Sequence, residues 1–380
     1  MMDLTVISTY RCNSRCQMCY IWQNPTVQKE EVSVETLAKL PSGFDNLNIS
    51  GGEPTLRRDL AEIVDVLYPK ARVTEISSNG LHPERLVPIV ERYPNIKVRF
   101  SLEGLEATNN AIRGEKDGFQ TKLRGMRMLK EAGGTDLGFA IVIQDENADQ
   151  LVRVYELAKA ENLELSTSTL HNAWQFYKND NYFYDRRKVA REVERLITAM
   201  LRTGKVKNWF RAYLNLGLIE KILGHDRLIP CTAARDFAFI DPWADVWACN
   251  VRSDLLLGNL ARQSWDEIMS GEPARRAAAK VDQCRQNCWM VTTARTAMRS
   301  SLHPSLPKLS PLAWVVWNKL KVSLGGRIDF ARYIDYDNVR PSPLIPRKSF
   351  LGENVKAYVK VQKGLETPAE HYPLGEFFNR

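Results

Sequence analysis

The 380-residue chain has no run of about eighteen apolar residues, which excludes an ordinary spanning helix. Its opening residues, Met1-Met2-Asp3, bring no basic segment or small-residue cleavage site, so a cytoplasmic location is expected rather than export. No internal repeat or low-complexity tract is present, which sets aside solenoids and polar tails. Cysteine is absent between residues 20 and 230. The seven cysteines fall instead into two groups, Cys12, Cys16 and Cys19, then Cys231, Cys249, Cys284 and Cys288. An odd number in a large chain without export features argues against a disulfide framework and for metal or redox chemistry.

What remains is ordinary globular composition, 44% hydrophobic and 26% charged, enough to bury a large core without staples. The net charge of +8 is uneven, because residues 301–350 hold eight Lys/Arg against three Asp/Glu. A nucleic-acid footprint would spread basic residues over the main fold, so no nucleic-acid partner is expected.

Up to residue 170, β-rich runs at 4–9, 47–50, 73–77, 98–102, 137–143 and 163–168 alternate with helical stretches. Ser33 and Asn147 stand as N-caps of two of these helices, and Gly133-Gly134 ends another. Six βα units in succession predict an α/β fold, a partial (β/α)6 TIM-type barrel with its chemistry at the carboxyl ends of the strands. The expected organisation is a core over 1–183 and a helical bridge over 184–229, with an amphipathic helix at 184–204. A small α+β unit over 230–300 and a basic, aromatic, Pro-rich extension over 301–380 follow.

The first strand runs into Cys12-Asn13-Ser14-Arg15-Cys16-Gln17-Met18-Cys19-Tyr20, a C-x3-C-x2-C loop. Three thiolates hold three corners of a [4Fe–4S] cluster and leave one iron open. A zinc knuckle would need a fourth ligand, and no further His or Cys lies within about 60 residues. The loop resembles the signature of the radical S-adenosylmethionine (SAM) superfamily. That resemblance implies a SAM-binding [4Fe–4S] cluster, cleavage of SAM to a 5′-deoxyadenosyl radical, and a flavodoxin- or ferredoxin-type reductant. Met18, where the family usually has an aromatic residue, and Tyr20 are then expected beside the cofactor. Ser50-Gly51-Gly52-Glu53-Pro54 resembles the family's GGEP turn. It implies that Gly51 and Gly52 let the backbone approach the ligand and that Glu53 accepts from the SAM ammonium. By the same resemblance Ser77, Asn79 and Ser101 meet ribose and methionine, the fork of Arg113 clasps the SAM carboxylate, and Val142 touches adenine.

Between Cys231 and Cys249 an alternating run predicts a hairpin turning at 241–245, followed by a helix at 264–269 and Cys284-x3-Cys288. This block resembles the auxiliary-cluster domain called SPASM in its long form and twitch in its short one. Ala244 stands where the pattern has glycine, and the full set has more cysteines than remain. One auxiliary [4Fe–4S] cluster, saturated by Cys231, Cys249, Cys284 and Cys288, is therefore implied; a four-thiolate zinc site is the alternative, though the tight C-x2-C pairs it favours are missing.

With all seven thiols used, none is left to return a hydrogen atom to a substrate radical, so net oxidation is expected, with Glu103, Asp145 and His171 as candidate proton acceptors. The leading substrate class is a small molecule such as a sugar, a polyol or a lipid-linked head group, since no leader-binding segment precedes Cys12. The alternative is a ribosomal peptide that is oxidised or cross-linked, and a third reading is a non-catalytic iron–sulfur or zinc module. Aromatic residues over 174–184 line a substrate entrance or pack between units. Trp314, Trp317, Lys319 and Lys321 on a helix at 312–324, flanked by Lys308 and Arg327, suggest a peripheral membrane contact.

Overall fold

A computed structural model describes residues 2–178, 180–300 and 310–340. The six alternating runs form Asp3–Ile7 (β1), Phe44–Ser50 (β2), Ala71–Ser78 (β3), Lys97–Ser101 (β4), Asp136–Ile143 (β5) and Glu164–Thr169 (β6). They pair in parallel in chain order. The register aligns Val6, Ile49, Ile76, Val98 and Leu137 in one row across five strands, all buried. Such a row fixes pairing, because a one-residue slip would turn every member to the other face. Helices Val34–Ala38, Leu60–Leu67, Val87–Arg92, Glu106–Arg113, Gly118–Glu131 and Leu151–Ala160 make the crossovers.

Ser33 caps the first helix, accepting from Thr36 N at 3.2 Å. Asn147 does not cap. Its side chain accepts from Gln144 N and donates to the carbonyls of Glu103 and Val142, pinning the turn after β5 to the end of β4.

Beyond the core, the expected amphipathic helix spans Arg186–Leu201 and packs on a second helix, Val206–Leu223. The second is buried on nearly every side, so its sequence carries no polar face to read. Gly217 lies within it because a Cβ there would stand 2.2 Å from the Trp289 ring.

Phe237–Ile240 (β7), Asp245–Trp247 (β8) and Leu256–Asn259 (β9) form the predicted hairpin with one further strand. β7 pairs in parallel with the free edge of β1, Asp3 opposite Phe237 and Val6 opposite Ile240, so all nine strands make one sheet. At the other end of β1, Asp3 is bound by Arg295 and Arg299 of helix Val291–Ser300.

Helix Pro311–Ser323 divides the residues assigned to a membrane contact. Trp314 turns inward onto Tyr213 and Tyr333, and Lys319 donates to the Leu201 and Thr203 carbonyls. Leu312, Val316, Trp317 and Leu320 face outward, and Lys321 is half-buried. Lys308 lies outside the described residues. Among the described residues no helix is long and apolar enough to cross a membrane.

Candidate functional site

The three-cysteine loop leaves the carboxyl end of β1 and is fixed before it reaches the first thiol. Glu31, buried, accepts from Thr9, from Thr26 at 2.6 Å and from Arg11 at 2.8 and 2.9 Å. Arg57 donates to the Ser8 and Val32 carbonyls. Burial alone would raise the pKa of Glu31, but the bonds from Arg11, Thr26 and Thr9 outweigh it and hold it below the usual value. Further on, Arg15 N and Gln17 N donate to the carbonyls of Arg113 and Ile112, seating the loop on the end of helix Glu106–Arg113.

The GGEP turn packs against this loop. Gly52 N donates to Thr9 O at 2.6 Å and Glu53 N to Arg11 O at 2.8 Å. A Cβ on Gly51 would stand 2.7 Å from Thr9 O, and one on Gly52 2.5 Å from Arg11 O. The two glycines thus admit the loop's own backbone, a demand separate from the ligand approach expected of them. Glu53 is fully buried; its carboxylate accepts from Thr55 N, Thr55 Oγ1, Ser78 Oγ and Asn79 N, at 2.5 to 2.9 Å. It therefore ties the turn to the end of β3, with one acceptor position left on Oε2. Asn79 Nδ2 continues the tie to Asn13 of the loop at 2.6 Å, and Ser77 donates to Asn48 at 3.0 Å. Ser101 is half-buried at the end of β4.

Arg113 is nearly buried, and Cys16 is among the charges that act on it most strongly. Its Nε donates to Glu115 and its Nη1 to Glu103, both at 3.0 Å, while Nη2 makes no bond among the described residues. Three of the five guanidinium N–H groups thus remain for a carboxylate. Glu115 also accepts from Ser14 at 2.7 Å and pairs with Lys122, whose side chain is wholly buried. Glu115 and Lys122 escaped the sequence reading, since Lys122 on a helix reads as a solvated face. One signal was available in Gly118, where a Cβ would collide with Glu115 Oε2.

Burial pushes the Cys12 thiol up to about 12 and raises Cys16 and Cys19 as well, so three thiolates here require cationic compensation. Cys12 and Cys19 sit in a small apolar cluster with Ile7, Tyr10, Ile21, Tyr177, Phe237 and Phe239. Trp174 and Phe176 pack there too, against the hairpin, which is the packing alternative for these aromatics. Lys178 donates to the Tyr20 hydroxyl at 2.8 Å and lies over its ring, while Asn181 donates to Met18 O.

The late cysteines converge likewise. Cys288 and Cys231 both add to the burial that holds the Cys249 thiol up, and Cys284 is among the groups that act on Arg252. Val251 N donates to Cys249 Sγ at 3.3 Å. Ala244, buried in the β7–β8 turn, has φ +65°, which explains why the pattern places glycine there. Among the described residues no three His, Cys, Asp or Glu side chains close on a single point as one metal ion would require. Thiolates of a cubane each take their own iron, so both donor sets suit a [4Fe–4S] cluster.

The candidate proton acceptors separate. Asp145 accepts from Tyr184 N and Asp185 N at 2.8 and 2.9 Å and so anchors the start of helix Arg186–Leu201. His171 is held neutral, burial pulling it down to about 3 with Lys221 adding to the effect, so it is a weak base; its Nε2 has no partner. Glu103 keeps its place near Arg113, its pKa raised by burial against the opposing pull of Arg113 and Val142 N. The Val142 amide serves Glu103, at 2.7 Å.

Residues 6–158 match the model of the radical SAM superfamily, and residues 231–289 match that of the SPASM iron–sulfur cluster-binding domain. Mycofactocin maturase MftC of Mycolicibacterium smegmatis is 28% identical over 270 residues, 68% of this chain and 67% of the relative. Pre-heme d1 synthase of Dinoroseobacter shibae is 29% identical over 298 residues, 69% and 72%. Against two further curated relatives the chain spans only 40% and 38% of their length. Streptococcus suis SuiB, solved bound to precursor peptide SuiA, shares the fold with a TM-score of 0.53 at 15% identity, covering 82% of this chain and 75% of that one. The two matched domains bring a SAM-binding [4Fe–4S] cluster, SAM itself and auxiliary iron–sulfur. The chain therefore carries a radical SAM domain over residues 6–158 and a SPASM iron–sulfur domain over residues 231–289 behind it.

Proposed function

We propose that the chain is a radical SAM oxidoreductase that matures a peptide by oxidising or cross-linking a side chain. The observation that carries the reading is the C-x3-C-x2-C loop, seated by Glu31, Asn79 and Arg113 at the carboxyl end of β1. When bound there, the reduced cluster and SAM supply a 5′-deoxyadenosyl radical that removes a hydrogen atom from carbon. Cys12, Cys16 and Cys19 hold the first cluster, and Cys231, Cys249, Cys284 and Cys288 the auxiliary one. The free Nη2 of Arg113 meets the SAM carboxylate, and the remaining acceptor position of Glu53 meets its ammonium. Ser77, Asn79 and Ser101 lie toward ribose and methionine, and Met18, Tyr20 and Val142 toward adenine. Glu103 is the group that receives a proton.

The maturase among the relatives supports a peptide substrate over the small molecule expected from the sequence. The pre-heme d1 synthase, matched over as much of the chain, favours a second reading with a small-molecule substrate.

Anaerobic reconstitution should give about eight Fe per chain, falling to about four in Cys12→Ala/Cys16→Ala/Cys19→Ala. Reduced protein with SAM should release 5′-deoxyadenosine. Stoichiometric zinc in the first loop, or intact SAM under strong reductant, would refute the assignment. Mass loss on a candidate precursor peptide, against none on small molecules, separates the two substrate readings.

A further inference from the structure

The two cysteine groups sit in different electrostatic surroundings. Around the first, Arg113 and Lys122 face three buried carboxylates, Glu53, Glu103 and Glu115, so these buried cations are outnumbered. Around the second, Arg252 is matched by Asp254 at 2.7 Å, but two further cations have no carboxylate among the described residues. Arg227 donates from Nη1 to the Cys288 carbonyl, with Cys288 Sγ at 3.7 Å, and from Nε to Ile229 O at 3.1 Å. Its guanidinium lies over the Trp289 ring, and its buried Nη2 is unpartnered. Lys221, on the buried helix Val206–Leu223, is 1% exposed and makes no side-chain hydrogen bond or ion pair among the described residues. Burial pulls Lys221 down to about 7, with Cys288 opposing and Arg227 adding to the effect, and Asn287 Nδ2 holds its carbonyl at 3.2 Å.

Lys221, buried, and Arg227, half-buried, have no counter-ion among the described residues, which is costly unless an anion arrives beside them. A [4Fe–4S] cluster with four thiolates is that anion, carrying two negative charges when oxidised and three when reduced. Fixed positive charge favours the more negative form, and charge and hydrogen bonds to sulfur are among the levers that set cluster potentials.

We infer that Lys221 and Arg227 are positioning residues that raise the reduction potential of the auxiliary cluster above that of the SAM-binding cluster, making it the acceptor of the electron released by the substrate radical. The inference rests on the proposed reading that the four late cysteines bind such a cluster. The substrate carbon loses a hydrogen atom to the SAM-derived radical, then one electron to the auxiliary cluster and one proton to a base or to water. The reduced cluster is reoxidised by an external one-electron carrier of flavodoxin or ferredoxin type.

The experiment is an EPR-monitored redox titration of the full-length, reconstituted protein as wild type, Lys221→Met, Arg227→Gln and the double variant. The auxiliary signal should titrate above the SAM-cluster signal in wild type, at lower potential in each single variant, and lowest in the double. Lys221→Arg, which keeps the charge, should titrate with wild type, and the SAM-cluster potential should not move. An auxiliary potential below that of the SAM cluster in wild type, or one unchanged in variants with full iron content, would overturn the inference. An absent auxiliary signal with about four Fe per chain would instead overturn the underlying cluster assignment.

Discussion

Gly52→Ala tests whether the first cluster loop is built by backbone contact. The new methyl would lie 2.5 Å from Arg11 O, a main-chain atom that cannot rotate away as a side-chain tip would. Relief requires the GGEP turn to retreat, and with it the bonds Gly52 N to Thr9 O and Glu53 N to Arg11 O. Overpacking of this kind costs about 1–3 kcal/mol and each lost bond about 0.5–1.5 kcal/mol, so the change should destabilise by about 2–6 kcal/mol. Gly204→Ala is the control, because nothing lies within 4 Å of its Cβ position. Urea midpoints of the apo-proteins and iron per chain after reconstitution read the outcome. Gly52→Ala should unfold earlier and load the late site while the first stays depleted; Gly204→Ala should match wild type. A Gly52→Ala protein with wild-type midpoint and full iron would refute the steric account.

Lys122→Met leaves Glu115 buried with one cation fewer and should cost about 3–5 kcal/mol in a urea melt, part of it recovered in Lys122→Met/Glu115→Leu, where Arg113 still faces Glu103. Glu31, held below the usual carboxylate value, contributes stability that is fully present at neutral pH and is lost as the pH falls below roughly 4.3. Glu31→Gln should therefore be less stable than wild type at pH 7, with the gap narrowing on acidification; a constant gap would count against the network. Ala244→Gly should stabilise by about 1 kcal/mol, because φ +65° is unfavourable to a Cβ, and an unchanged melt would contradict the left-handed turn.

Strand positions and the cysteine sets were legible because both are written locally, as short β-rich runs and as spacings. Helix Val206–Leu223 was legible only as part of the helical bridge over 184–229, without its own bounds, since burial on nearly every side weakens the periodicity that marks a helix. The pairing of β7 with β1 joins segments more than 230 residues apart and leaves no local mark. Within the site, Glu53 and Arg113 were found by motif, but their partners were not. Ser78, Asn79 and Thr55 for the one, and Glu103 and Glu115 for the other, are chosen by tertiary packing. Asp145 is a further case, a carboxylate at a strand end whose two backbone donors, Tyr184 N and Asp185 N, lie about 40 residues on.

The ladder between β1 and β7 has a mechanical consequence. Both strands run the same way, so the loop after Ile7 leaves the carboxyl end of the ladder, whereas Cys231, before β7, and Cys249, after the antiparallel β8, flank its amino end. The spacing between the two cysteine segments then includes the length of the ladder itself, and cannot stretch or close without tearing its main-chain bonds. Any breathing that admits a bulky guest must come from the connections above the sheet, leaving the electron's route at constant length.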